Sequence, residues 1–177
     1  MNISVFGGSQ PKENDPAYHE AYLLGRLLAQ AGYSVLTGGY IGTMEAVSKG
    51  AYEAGGHVIG VTCEEIERWR TVKPNSWIKE ERRFATLNER LNALIQGCDA
   101  AMALPGGPGT LTEISLTWNL MIVNALNPKP LILIGIEWET VIKQFYSSFS
   151  KYIPESQREL LQFVADVKSA VRMVKSI

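Results

Sequence analysis

The residues best suited to chemistry lie in Ala101-Met-Ala-Leu-Pro-Gly-Gly-Pro-Gly-Thr-Leu-Thr-Glu113. An apolar run ends in a Pro/Gly cluster from Pro105 to Gly109, then Thr110 and Glu113 precede a helical pattern. A strand that turns on glycines into a helix presents free backbone N–H groups at a positive dipole end, which suits an anion such as phosphate. Gly106, Gly107 and Gly109 can bring N–H groups close to that anion, and the Thr110 hydroxyl can add a donor. A Walker A loop would need G-x-x-x-x-G-K-[ST], and this turn carries no lysine; nor is it G-x-G-x-x-G.

Glu113 admits two readings. Thr110-Leu-Thr-Glu113 fits a capping box, in which the glutamate only satisfies a helix-start N–H. Alternatively, a carboxylate one turn past a phosphate cradle sits where a ribose would lie. There it could stabilise the oxocarbenium-like state of N-glycosidic bond cleavage and orient the attacking water. Arg90, about 60° from Leu87 on a helical wheel, can reach a pocket beside the core and neutralise phosphate or a leaving base. A surface salt bridge is the ordinary fate of such an arginine. His19 and His57 have no partner at motif spacing and are expected to be structural.

The elements that must position these groups follow a βα rhythm. Ile3–Ser9 reads as a buried strand ending in Gly7-Gly8-Ser9, and Asp15-Pro16 opens a helix that Gly32 stops. Tyr33–Thr37 is a second strand ending in Gly38-Gly39, without the carboxylate that would hold a dinucleotide ribose. Thr43–Ala54 is a helix and His57–Val61 a third strand. Short apolar strands alternating with helices predict an α/β fold with a doubly wound parallel sheet. Right-handed crossovers then gather the strand ends near Gly8, Gly39 and Thr62 on one sheet edge.

Eleven of the 22 residues from 62 to 83 are charged, with Trp69 and Trp77 among them. A solvated loop with a short helix fits this segment; so does a lid or an oligomer contact, since an ordinary exposed loop has little use for tryptophans. Thr86-Leu-Asn-Glu89 is a capping box for a helix with the stripe Leu87, Leu91, Leu94, Ile95 and Cys98. Asp99–Leu104 is the strand that delivers the glycine turn. From Ile114 to Asn127 no residue is charged, which predicts a helix covered on all sides, by a subunit interface or by the core. Pro130–Gly135 is a further strand, followed by helices over Glu137–Phe149 and from a Ser156 cap. A short strand at Phe163–Asp166 and a helix over Val167–Ile177, capped by Asp166, complete the pattern.

Length and composition agree. A chain of 177 residues, 46% hydrophobic and 20% charged, fits one soluble domain spanning 1–177. A net charge of −1 gives no electrostatic case for nucleic acid or an anionic membrane, and no apolar run approaches the roughly 20 residues of a membrane span. Cys63 and Cys98 show no metal-ligand spacing and are expected as reduced thiols. With no signal-peptide pattern at the N-terminus, the expected location is cytoplasmic.

Val5-Phe-Gly-Gly-Ser9, Leu36-Thr-Gly-Gly39, Gly55–Val61, Arg90 and Leu104-Pro-Gly-Gly-Pro-Gly-Thr-Leu-Thr-Glu113 together resemble the LOG ("lonely guy") family over about residues 2 to 135. These Rossmann-like proteins are cytokinin riboside 5′-monophosphate phosphoribohydrolases, often mislabelled lysine decarboxylases. The resemblance implies a homodimer or higher homo-oligomer, without metal or cofactor, that splits a nucleoside 5′-monophosphate into base and ribose 5-phosphate. It implies catalytic roles for Glu113 and Arg90. It also implies ligand binding by Gly106, Gly107, Gly109 and Thr110, with Gly8, Ser9, Gly38, Gly39 and Met44 around the same ligand. The chain has Leu91 and Thr112 where the family usually has lysine and a second glutamate. Its Gly42–Ala51 segment is similar instead to a branch containing molybdenum cofactor carriers, which bind a pterin phosphate without turning it over. A non-catalytic nucleotide- or pterin-phosphate-binding protein is therefore the alternative expectation.

Overall fold

The computed structural model describes residues 1–175. In chain order the elements are β1 (Asn2–Phe6), α1 (Pro16–Gln30), β2 (Ser34–Thr37), α2 (Thr43–Glu53), β3 (Val58–Cys63), α3 (Glu64–Arg70), β4 (Glu80–Phe84) and α4 (Leu87–Gln96). There follow β5 (Ala100–Ala103), α5 (Pro108–Ile122), β6 (Leu131–Ile134), α6 (Ile136–Ser148), α7 (Glu155–Arg158), β7 (Gln162–Val164) and α8 (Val167–Lys175). The expected continuation of α8 to Ile177 lies outside the described residues.

Seven strands form one sheet in the order β4-β3-β2-β1-β5-β6-β7, and every pairing is parallel. β1, β2, β3, β5 and β6 are apolar and almost wholly buried because helices cover both faces. One face packs Leu24 and Leu28 of α1, Val47 of α2 and Val171 of α8 against Ile3, Val35 and Met102. The other packs Leu94 of α4, Ile114 and Trp118 of α5 and Ile142 of α6 against Phe6, Leu36 and Leu133. The fold is the expected Rossmann-like α/β arrangement. Its strand order reverses between β1 and β5, and the crevice of such a sheet opens at that switch point.

Several local expectations are corrected. The charged segment 62–83 is not a loop with one short helix: β3 runs on to Cys63, α3 follows, and β4 pairs with β3 from Ile59↔Glu80 to Cys63↔Phe84. The strand escaped notice because Glu-Glu-Arg-Arg-Phe lacks an apolar run. Its charged side chains find partners on neighbouring elements instead, with Glu81 accepting from Thr62 Oγ1 of β3 at 2.5 Å and Arg83 paired with Glu67 of α3 at 2.7 Å. His57, which has no partner at motif spacing in the sequence, pairs with Glu80 at 2.9 Å.

Helix starts vary. The Thr86–Glu89 capping box forms as expected. Asp15 is the N-cap of α1, but its carboxylate accepts from the Lys12 N–H rather than from the helix. α7 starts at Glu155 after Pro154, not from a Ser156 cap, while Asp166 accepts from the Ser169 N–H at 2.7 Å as a cap for α8. Cys63 and Cys98 are both free and buried. No helix of the described residues is long and apolar enough to cross a membrane.

Candidate functional site

The glycine turns of β1 and β5 meet at the switch point. Leu104 N–H donates to Phe6 O at 3.0 Å, and Gly8 N–H donates to Pro105 O at 3.2 Å, so the two turns are stitched together. Gly106 sits in this seam. A Cβ there would lie 2.2 Å from Thr110 Oγ1 and 3.0 Å from Gly8 N, so the seam closes only around glycine. On the other flank, Thr43 at the start of α2 donates its N–H to Gly8 O at 2.9 Å, which fixes the β1 turn against a second helix.

Gly107 is the N-cap of α5 and Pro108 its first residue. The first intrahelical bond runs from Leu111 N–H to Gly107 O at 3.0 Å. Gly109 and Thr110 therefore have no i−4 acceptor within the helix, and their N–H groups lie at its positive end. The Thr110–Glu113 capping box does not form: Thr110 is already inside the helix and no side chain caps its start. Thr112 Oγ1 instead donates back to Pro108 O at 2.9 Å.

Glu113, in the second turn of α5, is buried and lines a cavity of about 440 Å³. Burial pushes its carboxyl up to about 7, and the positive charge of Arg90 pulls the other way. The group is therefore poised to exchange a proton near neutrality, as catalytic carboxyls and some buried structural ones are.

Arg90 is buried too, against the usual surface placement of arginine. Its Nε donates to Val61 O at 2.8 Å and its Nη2 to Gly38 O at 3.1 Å. Its guanidinium also lies 5.6 Å from the Tyr40 ring centroid. Gly38 is glycine because a Cβ would fall 2.0 Å from Arg90 Nη2. Tyr40 is fixed in turn: its hydroxyl donates to Cys63 O at 3.0 Å and accepts from Cys63 N–H at 2.8 Å. Burial raises the Tyr40 phenol to about 12, so it remains neutral.

The cavity gathers Gly8, Ser9, Met44, Arg90, Gly107, Gly109, Thr110 and Glu113 on one wall system. Gly106, Gly38 and Gly39 are not on the wall. They lie behind it, Gly106 in the seam between turns, Gly38 as acceptor for Arg90, and Gly39 with a left-handed φ of 79° and its carbonyl receiving Asn75 N–H at 2.8 Å. The sequence did not single out the wall residues Tyr40, Ile41, Ile66, Arg70 and Val72. Leu87, read only as part of a core stripe, and Leu91, read as part of that stripe and as a departure from the family's lysine, also face the cavity, and Leu87 is 40% exposed. Trp69, conspicuous among the charges of 62–83, stands at the same wall, whereas Trp77 packs edge-on against Tyr52.

The uncharged helix expected from Ile114 to Asn127 ends at Ile122, and its cover is mixed. Trp118 is buried, with its ring edge-on to Tyr146 and its Nε1 donating to Gln157 O at 2.7 Å; Met121 is buried as well. Ser115, Asn119 and Val123 are exposed.

A parallel doubly wound sheet whose glycine turns and helix start open on one cavity at the switch point defines a Rossmann-like protein of the kind that seats ligands in that crevice. The model of the SLOG cluster4 family matches residues 1–161, and the chain belongs to that family. The cytokinin riboside 5′-monophosphate phosphoribohydrolase LOG of Oryza sativa subsp. japonica is 33% identical over 156 residues, covering 85% of this chain and 59% of the relative. The chain thus spans about three fifths of that relative's length. Two solved structures share the whole fold. The molybdenum cofactor binding protein from the phototrophic bacterium Rippkaea orientalis has a TM-score of 0.75 and 26% identity, covering 99% of this chain and 95% of its own. The molybdenum cofactor carrier protein from Chlamydomonas reinhardtii has a TM-score of 0.74 and 28% identity, covering 99% and 96%.

Proposed function

We propose that this chain binds a phosphate-bearing heterocycle, of the nucleoside monophosphate or pterin phosphate class, and holds it without turning it over. The observation that carries this reading is a single cavity that joins anion donors to an apolar wall. The Ser9 turn, Gly107, Gly109 and Thr110 offer N–H and hydroxyl donors to a phosphate, while Ile41, Ile66, Leu87 and Leu91 suit a ring. The likeness to two molybdenum cofactor proteins over nearly all of both chains supports carriage.

A second reading, hydrolysis, is favoured by the meeting of Glu113 and Arg90 in that cavity. Water would add at C1′ of the ribose as the glycosidic bond breaks. The bonding pair leaves with the base and a proton reaches the base nitrogen, giving free base and ribose 5-phosphate. Glu113 as carboxylate would take the proton from water and stabilise the oxocarbenium-like state, and Arg90 would supply positive charge.

Incubation of the purified chain with AMP, followed for adenine release and for binding, separates the two. Binding without adenine supports carriage, and adenine release supports hydrolysis. Absence of both, with no phosphate ligand bound, would sink the shared site. Assembly into a homodimer or higher homo-oligomer belongs to the same proposal, supported by Val123, Val141, Phe145 and Phe149, large apolar side chains of α5, α6 and their ends that stand exposed.

A further inference from the structure

Trp69 and Arg70 are consecutive at the end of α3, and both line the cavity. Trp69 is 74% exposed, an unusual state for the largest apolar side chain. The Arg70 guanidinium lies 4.6 Å from the Trp69 ring centroid, and its Nη1 donates to Ser9 Oγ at 3.0 Å. Among the described residues no carboxylate pairs with Arg70, although α3 carries three glutamates of its own. Its charge is held only by a neutral hydroxyl and a ring face.

Its position gives that charge a use. The glycine turn at 105–110 contains no cation, and Arg90 already donates to two carbonyls. Arg70 is the other cation on the cavity wall, and it stands at Ser9, beside the stitched turns. A second, more open cavity of about 630 Å³ adjoins the first. Ser9, Gln10, Ile41, Arg70 and Val72 line both, so the Arg70–Ser9 bond stands in the partition between them. Directly after the pair, Thr71 adopts a left-handed φ of 52°, uncommon for a β-branched residue, which ends α3 with these two side chains at its tip.

We infer that Arg70 and Trp69 are the ligand-recognition pair of this chain: Arg70 takes the anion beside the Ser9 turn, and Trp69 takes the face of the ligand's flat ring. This rests on the reading of the cavity as a phosphate-ligand site. In the free protein the pair is satisfied internally, cation on ring and guanidinium on hydroxyl. A ligand bearing both an anion and an aromatic ring replaces both contacts at once. The guanidinium exchanges a neutral acceptor for a charged one, which it binds in a bidentate fork, and the Ser9 hydroxyl is freed to donate to the same anion. The uncovered indole face then stacks on the ring.

Calorimetric titration of the full chain with ribose 5-phosphate and with AMP tests this, in a Glu113→Gln background so that AMP is not cleaved during the titration. Arg70→Gln should weaken both ligands tenfold or more, and Arg70→Lys should recover part of that loss. Trp69→Ala should weaken AMP at least fivefold while leaving ribose 5-phosphate unchanged, and Trp69→Phe should recover AMP. Both side chains are at the surface, so unchanged melting temperatures are expected. A parent that binds both ligands, with Arg70→Gln and Trp69→Ala binding them equally well, overturns this inference and leaves the site intact. Equal weakening of both ligands by Trp69→Ala overturns the ring assignment. A parent that binds neither ligand overturns the phosphate-ligand reading and this inference with it.

Discussion

Arg90 and Glu113 face one cavity, yet Arg90 donates its hydrogen bonds to the carbonyls of Val61 and Gly38 and acts on Glu113 only through space. The cation is thus anchored by the ends of β2 and β3, and the carboxyl keeps its proton-exchanging freedom. Burial dominates the balance and leaves Glu113 near 7 rather than in the usual carboxylate range.

That balance has a stability consequence with a definite sign. The folded-state value near 7 lies above the ordinary 4.5, so the folded chain holds its proton more tightly than the unfolded chain. Stability from this group is full below about 4.5 and is lost as pH rises towards 7, by up to about 3 kcal/mol. Glu113→Gln should flatten that dependence and be more stable than the parent at pH 8. Urea unfolding of both proteins at pH 5 and pH 8 checks it; an identical pH response in the two would refute the assignment.

For turnover the same group predicts a different profile. If AMP is cleaved, adenine release should rise with pH through about 7 as the Glu113 carboxylate forms. Glu113→Gln should lower the rate by roughly 10²–10⁴-fold while AMP binding changes little. A pH–rate profile with a single-turnover assay provides the measurement.

Arg90→Leu removes two buried hydrogen bonds from a charged donor and leaves the Gly38 and Val61 carbonyls without it. A loss of roughly 2–4 kcal/mol is expected from the unfolding midpoint. Loss of ligand binding in this variant should therefore be compared at a temperature where it is still folded.

Gly38→Ala and Gly106→Ala probe the same site from behind its wall. The new methyl would meet Arg90 Nη2 at 2.0 Å in one and Thr110 Oγ1 at 2.2 Å in the other. Ligand affinity should fall tenfold or more in both, and both should lower stability. Titration with ribose 5-phosphate beside thermal melting checks each effect.

Assembly is better tested on exposed residues than on buried ones. Trp118 and Met121 are core residues of the single chain, so charging them would unfold it. Phe149 is 48% exposed, with its ring tilted at 51° to that of Phe145 and 5.1 Å between centroids. Phe149→Glu should preserve the fold and shift sedimentation to a smaller species. A parent that already sediments as a monomer would count against the oligomer.

The parallel sheet was legible because buried strands read as continuous apolar runs ended by glycines, as in Val5-Phe6-Gly7-Gly8 and Val35–Gly39. The glycine turn at the cavity was legible from Gly106, Gly107 and Gly109. β4 was not, because four of its five residues are charged and it has no apolar signature. The wheel placed Arg90 on a shoulder but could not show its tail bending to two carbonyls contributed by other strands. Tyr40 and Arg70 were missed for a related reason: each reaches the cavity from a turn or a short helix where no periodicity speaks.

The charged edge has a final consequence. β4 is an edge strand that carries Glu80, Glu81, Arg82 and Arg83 in succession, and charged side chains on an edge strand resist the docking of another strand. Growth by sheet extension is therefore disfavoured at that margin. A protein arranged in this way can be concentrated without seeding fibres from its own β4 border.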